Sequence, residues 1–200
     1  MSRLILALLL AVGLGLGAAG CGGSSPESGA MGASKIKKAA TPEECMKIVQ
    51  QAAEAGNWGQ VYDCLTEKAQ KRMSLAVIFV LEPVRKSGPE GKAKVEALME
   101  AHGQGKEAGK NRKRSTDMDE DFDIVAGMTT DRKGFFVDGL KLLAQHDPKS
   151  AVLARFMFRG ELKDVKVTGD TAAGTWTPTG ERTDKALFKN TDGGWRVDEK

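Results

Sequence analysis

The sequence predicts one α+β domain in which helices come first and an antiparallel sheet comes last. Between residues 41 and 147, apolar residues recur at helical spacing along several segments. From residue 151 onward the apolar runs are short, and turn residues such as Gly, Asp and Pro separate them. Helices followed by a run of strands indicate a sheet that helices cover on one face.

The first helix has a strong start signal at Thr41. Thr41 can cap the helix, Pro42 fits the first helical position, and Glu44 completes a capping box. Cys45 begins an apolar face that repeats with helical spacing, and the Gly-Asn pair at 56–57 ends the helix.

Further helices are predicted in the middle of the chain. One begins near Gly59 and carries Val61, Cys64, Leu65 and Ala69 on its apolar face. The segment 74–85 is apolar almost all round, which indicates a buried helix that its proline bends or ends, or a strand because of its β-branched residues. The spacing predicts two more helices, from 87 to about 102 and from 131 to 147.

Short alternating runs predict the sheet. An apolar run at 152–158 is a first strand or its lead-in, and further strands are predicted at 162–168, 171–177, 184–189 and 195–198. In the strand at 171–177, Ala172, Gly174 and Trp176 point to one face. Ala173, Thr175 and Thr177 point to the other face.

The N-terminus carries an export signal. Ser2-Arg3 is a basic start, 4–16 is an apolar run, and small residues at 17–20 precede Cys21. The apolar run is too short to span a bilayer, which takes roughly 18–20 residues. The cysteine directly after the signal resembles the lipobox of bacterial lipoproteins, in which this thiol is acylated and becomes the new N-terminus. A plain signal peptide cut at the same position is the alternative.

Composition divides the chain into three parts. Residues 1–20 are the signal, 21–40 form a Gly/Ser/Ala-rich flexible tether, and 41–200 form the α+β domain. A basic block at 106–114 and an acidic block at 117–123 indicate a solvated loop, or a docking site for a charged partner.

Cysteine usage agrees with export. If Cys21 is acylated, Cys45 and Cys64 remain as an even pair in an oxidising compartment, which predicts a disulfide. Two buried thiols that pack as small hydrophobes are the alternative. The histidines, His102 and His146, are not close to cysteines in the sequence, so we predict no metal site.

The charge and the signal together limit the partners. The formal net charge is +3, and one unit lower without Arg3, which is too near neutral to indicate nucleic acid binding. We expect contact with a membrane through the N-terminal lipid, a small apolar ligand or an envelope protein as partner, and no cofactor. Gly22 is not the aspartate that some bacteria use for inner-membrane retention, which favours the outer membrane, with the domain facing the periplasm.

Two segments carry a resemblance to a known fold family. They are 52–66, which contains Gly-Asn-Trp, and 167–172 together with the closing 192–198, Asp-Gly-Gly-Trp-Arg-Val-Asp. Both resemble the nuclear transport factor 2-like superfamily, also called SnoaL-like or cystatin-like, in its bacterial lipoprotein branch. The resemblance covers about 41–72 and 158–200.

This resemblance implies a strongly curved antiparallel sheet that wraps around helices as a cone. The segment 83–148 departs from the simplest members and is predicted as a helical, charged insertion. Tyr62, Phe136, Trp176 and Trp195 are the candidate lining residues of the cone. The alternative is that these aromatic rings fill the core.

Some members of that superfamily are isomerases, dehydratases or cyclases that hold a carboxylate or His, with a Tyr, in an apolar cavity. The candidates here are Tyr62, its neighbour Asp63, and Asp138 with His146. None matches a catalytic pattern, and we assign no catalytic residue. We therefore expect a non-enzymatic, lipid-anchored envelope protein that binds a small ligand or a protein, with a small periplasmic isomerase or dehydratase as the alternative. A homodimer through the outer sheet face is a further expectation.

Overall fold

The structure, a computed structural model, describes residues 38–103, 129–149, 152, 155, 158–178 and 183–199. The predicted signal, Cys21, most of the tether and the charged segment 106–123 lie outside the described residues. Five helices are described: α1 Pro42–Glu54, α2 Trp58–Asp63, α3 Glu67–Lys86, α4 Pro89–Ala101 and α5 Arg132–His146. The described strands are β1 Gly160–Thr168, β2 Thr171–Pro178, β3 Asp184–Thr191 and β4 Gly194–Asp198.

Helix α1 begins and ends where the sequence predicts. The Thr41 side chain accepts from the backbone N–H of Glu44 at 3.1 Å, and the Glu44 carboxylate accepts from the N–H of Ala40 at 2.8 Å. Capping of this kind satisfies N–H groups that the first helical turn leaves unpaired. Gly56 then takes a positive φ of 68°, which reverses the chain after the helix.

The helix predicted to run past Cys64 is two helices. Its first part, α2, ends at Asp63, and Thr66 caps the next helix, α3. Between them Leu65 forms a parallel bridge with Val197 of β4, and the N–H of Thr66 donates to the carbonyl of Val197 at 2.9 Å. The prediction of one continuous helix is therefore wrong. At this junction the backbone groups form hydrogen bonds with the edge strand β4 and do not continue the helix.

Helix α3 confirms the helical interpretation of 74–85 and extends it at both ends. Pro83 lies inside the helix, which continues to Lys86, so this proline does not end it. Most apolar residues of the segment are buried, but Phe79 is 52% exposed. Helices α4 and α5 match the predicted ones, and both pack against α3.

The four strands form one antiparallel sheet in the order β1-β2-β3-β4. All connections are short, as the predicted turns require: Gly169, Asp192 and Gly193 have positive φ angles at the two tight turns. A bulge between Lys163 and Lys166 interrupts the register of β1 with β2. The strand or lead-in expected at 152–158 is wrong at Val152 and Arg155, which are helical.

The helices cover one face of the sheet, and the predicted alternation along β2 is confirmed. Ala172, Gly174 and Trp176 are buried, whereas Ala173 and its neighbours on the opposite face are only partly covered. Phe188 of β3 lies in the same buried layer. The fold is thus α+β with an open antiparallel sheet. None of the helices in the described part of the chain is long and apolar enough to cross a membrane.

Candidate functional site

The four candidate lining residues all lie in the hydrophobic core. Tyr62 comes from α2, Phe136 from α5, Trp176 from β2 and Trp195 from β4, so four elements converge on this region. Their exposed fractions are 8% or less, and they belong to one cluster of buried side chains. The rings of Tyr62 and Phe136 are in contact, with centroids 5.4 Å apart. These side chains therefore occupy the space between helices and sheet.

The hydroxyl of Tyr62 is held by a buried serine. Ser74 of α3 is a hydrogen-bond partner of Tyr62, and burial raises the pKa of the phenol above its usual value. The same serine Oγ lies 2.9 Å from the carbonyl of Gln70 and 3.4 Å from that of Arg132. Tyr62 is therefore protonated at neutral pH, and beside it Ser74 connects α3 to the start of α5.

Two other acid–base candidates lie apart from the phenol. The Asp63 carboxylate accepts from the Lys133 ammonium at 2.7 Å, on the side of α2 that faces α5. His146 lies at the end of α5, and its Nε2 is 2.9 Å from the hydroxyl of Ser87. Both Ser87 and His146 are exposed. Neither contact gives Tyr62 a proton partner.

His102 forms a cluster that the sequence did not predict. It follows α4 and is 8% exposed. Its Nδ1 lies 3.6 Å from Asp131 and its Nε2 lies 3.4 Å from Asp138, while its ring meets Phe135 edge-on with centroids 6.0 Å apart. Imidazole and carboxylate groups are the side chains most often used in acid–base catalysis, which makes this cluster a candidate site. The only sequence signal was the seven-residue spacing of the two aspartates on α5, because the histidine reaches them through tertiary packing alone.

The candidates Asp138 and His146 contact different residues. Asp138 contacts His102 and Lys141. In the described residues, no group of three or more His, Cys, Asp or Glu side chains could hold a metal ion.

Cys45 and Cys64 are neighbours in the core. Both thiols are buried, and they are hydrogen-bond partners of each other. This contact and burial raise the pKa of the Cys45 thiol, and the hydrogen bond from Cys45 lowers the pKa of the Cys64 thiol. The Cys45 thiol also points to the carbonyl of Cys64, at 3.9 Å. The contact between the two sulfurs therefore favours the ionised form at Cys64 and the protonated form at Cys45.

The sulfurs of Cys45 and Cys64 are not bonded in the structure, and the disulfide stays a prediction. In the sequence, Cys45 lies 12 residues before Asn57 and Cys64 lies 7 residues after it, so the two cysteines are at unequal distances from the turn that joins their helices. The structure resolves that mismatch because Cys64 caps the short helix α2, where the chain turns toward β4.

Comparison with known proteins identified no relative. No protein family, curated protein or solved structure matches the chain.

Proposed function

We propose that the chain is an exported, lipid-anchored protein of the bacterial cell envelope whose α+β domain binds a partner and performs no chemistry itself. The observation that carries the anchor is the sequence at the N-terminus, where a short apolar run and small residues stand directly before Cys21. The Gly/Ser/Ala-rich tether that follows lets a folded domain stand away from the membrane.

The packing of the domain supports binding rather than catalysis. Phe136, Trp176, Trp195 and Tyr62 all belong to one cluster of buried side chains, which is the arrangement expected of a filled interior. The one hydroxyl among them is engaged by Ser74. A partner would therefore meet the outside of the domain, and a protein or a membrane surface fits this better than a small ligand enclosed by the sheet.

The proposed fold family is the nuclear transport factor 2-like cone. In its favour, the Gly-Asn-Trp segment forms the turn between α1 and α2, and the two other motifs fall on the β1–β2 and β3–β4 hairpins. The described sheet has four strands and an open edge. A cone would need stronger curvature, for which the β1 bulge is one source.

The alternative function, a small isomerase or dehydratase, is favoured by one observation. His102 is buried and lies between the carboxylates of Asp131 and Asp138, which brings an imidazole and two carboxylates together in one place. If the protein is such an enzyme, His102→Gln should abolish its catalytic turnover and leave the protein folded.

Cell fractionation of Cys21→Ala tests the proposal, with Ser24→Ala as the matched control in the tether. The parent chain and Ser24→Ala should partition with membranes, and Cys21→Ala should lose its lipid and leave the membrane fraction or retain its signal. Equal membrane partitioning, together with masses of the processed chains that differ only by the sulfur lost in Cys21→Ala, would contradict a lipid at this residue.

A further inference from the structure

The outer face of the sheet, which points away from the helices, carries most of the charge of the strands. The register places Lys163 and Lys185 on either side of Thr175, and Lys189 beside Arg196. Lys166 lies next to Ala173 on the same face. We call Lys163, Lys166, Lys185, Lys189 and Arg196 the basic sheet face. All four lysines are exposed, and Arg196 is half-buried.

Acidic residues on this face compensate only part of that charge. Glu161 pairs with Lys163 at 2.8 Å, and Asp198 accepts from the hydroxyl of Thr66 at 2.6 Å. Among the described residues, no salt bridge joins Lys166, Lys185 or Lys189 to a carboxylate. Strands lie about 4.8 Å apart, so Lys163 and Lys185 are separated by about 10 Å along one cross-strand row. The face thus presents separated cations with Thr175 between two of them.

The start of the described chain lies at the edge of the same sheet. Lys38 donates to the carbonyl of Asp192 in the β3–β4 turn, and the N–H of Trp195 donates to the carbonyl of Ala39 at 3.0 Å. The tether therefore joins the domain at the end of the sheet where Lys189 lies. The sequence from Cys21 to Lys38 has the composition of a Gly/Ser-rich linker, and a linker of about 17 residues has an average end-to-end distance of about 20–25 Å. An anchor on Cys21 would hold the basic sheet face within one domain diameter of the bilayer.

We propose that the basic sheet face docks on the anionic phospholipid surface of the membrane that holds the lipid anchor. This inference rests on the proposed lipidation of Cys21. A lysine or arginine near an anionic bilayer contributes about 1 kcal/mol, which corresponds to roughly fivefold in affinity. Several weak contacts are enough to hold the basic sheet face on the membrane, because the tether makes this docking intramolecular.

Charge complementarity favours the anionic phospholipid surface over a second copy of the chain as the partner of the basic sheet face. Pairing two outer faces, as in the expected homodimer, would bring the lysines of one copy toward those of the other, and like charges oppose such contact. Between the lysines lie Ala173, Thr175 and the partly buried Leu187, which together offer little apolar area for an obligate interface.

Vesicle co-sedimentation tests whether the basic sheet face binds a membrane when the protein carries no lipid anchor. The probe is the chain from residue 21 with Cys21→Ser, mixed at low salt with phosphatidylcholine vesicles that contain either no or about 30% phosphatidylglycerol. We expect binding only to the anionic vesicles, and weaker binding as salt is added. The combined Lys166→Gln, Lys185→Gln, Lys189→Gln variant should bind on the order of 100-fold more weakly.

The matched control removes the same charge from the helices. Lys47, Lys68 and Lys92 are exposed on α1, α3 and α4, and their combined change to Gln should leave binding within about threefold of the parent. The proposal would be overturned if both triple variants lost vesicle binding equally or if the sheet variant lost none. Equal binding of the parent to neutral and anionic vesicles would also overturn it. Binding to polyglutamate but not to anionic vesicles would also overturn it, in favour of an acidic protein partner. Because the probe carries no lipid, this result is independent of whether Cys21 is acylated.

Discussion

Truncation of Phe136 measures whether the interior is filled. Phe136 is 1% exposed and contacts the ring of Tyr62. Replacing a fully packed Phe by Ala costs about 3–5 kcal/mol, because the lost transfer energy adds to the energy of the cavity left behind. In a domain of this size each kcal/mol lowers Tm by about 2–4 °C, so Phe136→Ala should lower Tm by about 6–20 °C. Phe136→Leu, which keeps most of the volume, should cost about 1–1.5 kcal/mol.

The matched control is Phe79→Ala, because Phe79 is 52% exposed on α3. That change should alter the free energy of unfolding by no more than about 0.5 kcal/mol. Urea unfolding followed by circular dichroism gives all three values, and benzene should raise the Tm of Phe136→Ala but not of the parent, since a dry cavity binds apolar molecules. A cost below about 2 kcal/mol for Phe136→Ala, with benzene stabilising the parent equally, would refute a filled interior.

Other predictions follow from single contacts. A methyl group on Gly139 would lie 2.3 Å from a valine methyl of α3, so Gly139→Ala should lower the free energy of unfolding by about 1–3 kcal/mol, and an unchanged urea midpoint would contradict the close packing of α3 and α5. A hydrogen bond from Arg85 lowers the pKa of Glu82 from 4.5 to about 2, so the carboxylate stabilises the folded state above pH 4.5 and this contribution is lost as the pH falls toward 2. Glu82→Gln should therefore cost a few tenths of a kcal/mol at neutral pH, and the two stability curves should converge near pH 2; a constant difference at all pH values would argue against the ion pair. Protein purified from the envelope without reductant should have Cys45 and Cys64 joined, with no thiol open to alkylation in denaturant; two alkylated cysteines would show that the pair stays reduced.

Local signals predicted the elements whose ends depend on neighbouring residues. Thr41 with Glu44 fixed the start of α1, and glycine with aspartate marked both tight hairpins. The alternation along β2 predicted which side of the strand is buried. These features depend on caps, turn angles and a two-residue period, which act over a few positions in the sequence.

Tertiary contacts decided the rest of the fold and of the candidate site. The helix break at Leu65 arises from pairing with Val197, far along the chain, so helical spacing extended the helix too far. His102 meets Asp131 and Asp138 only because α4 and α5 pack together. The basic sheet face likewise needs the register of four strands, since no single strand shows a row of lysines.

The intact mass of the protein extracted from the membrane fraction tests the central claim most directly. The account predicts a chain that begins at Cys21, carries a diacylglycerol and a further acyl group, and retains no small molecule under native conditions. A mass that matches an unmodified chain, whether it begins at Met1 or at Cys21, would contradict the lipid anchor. A retained small molecule would contradict the filled interior.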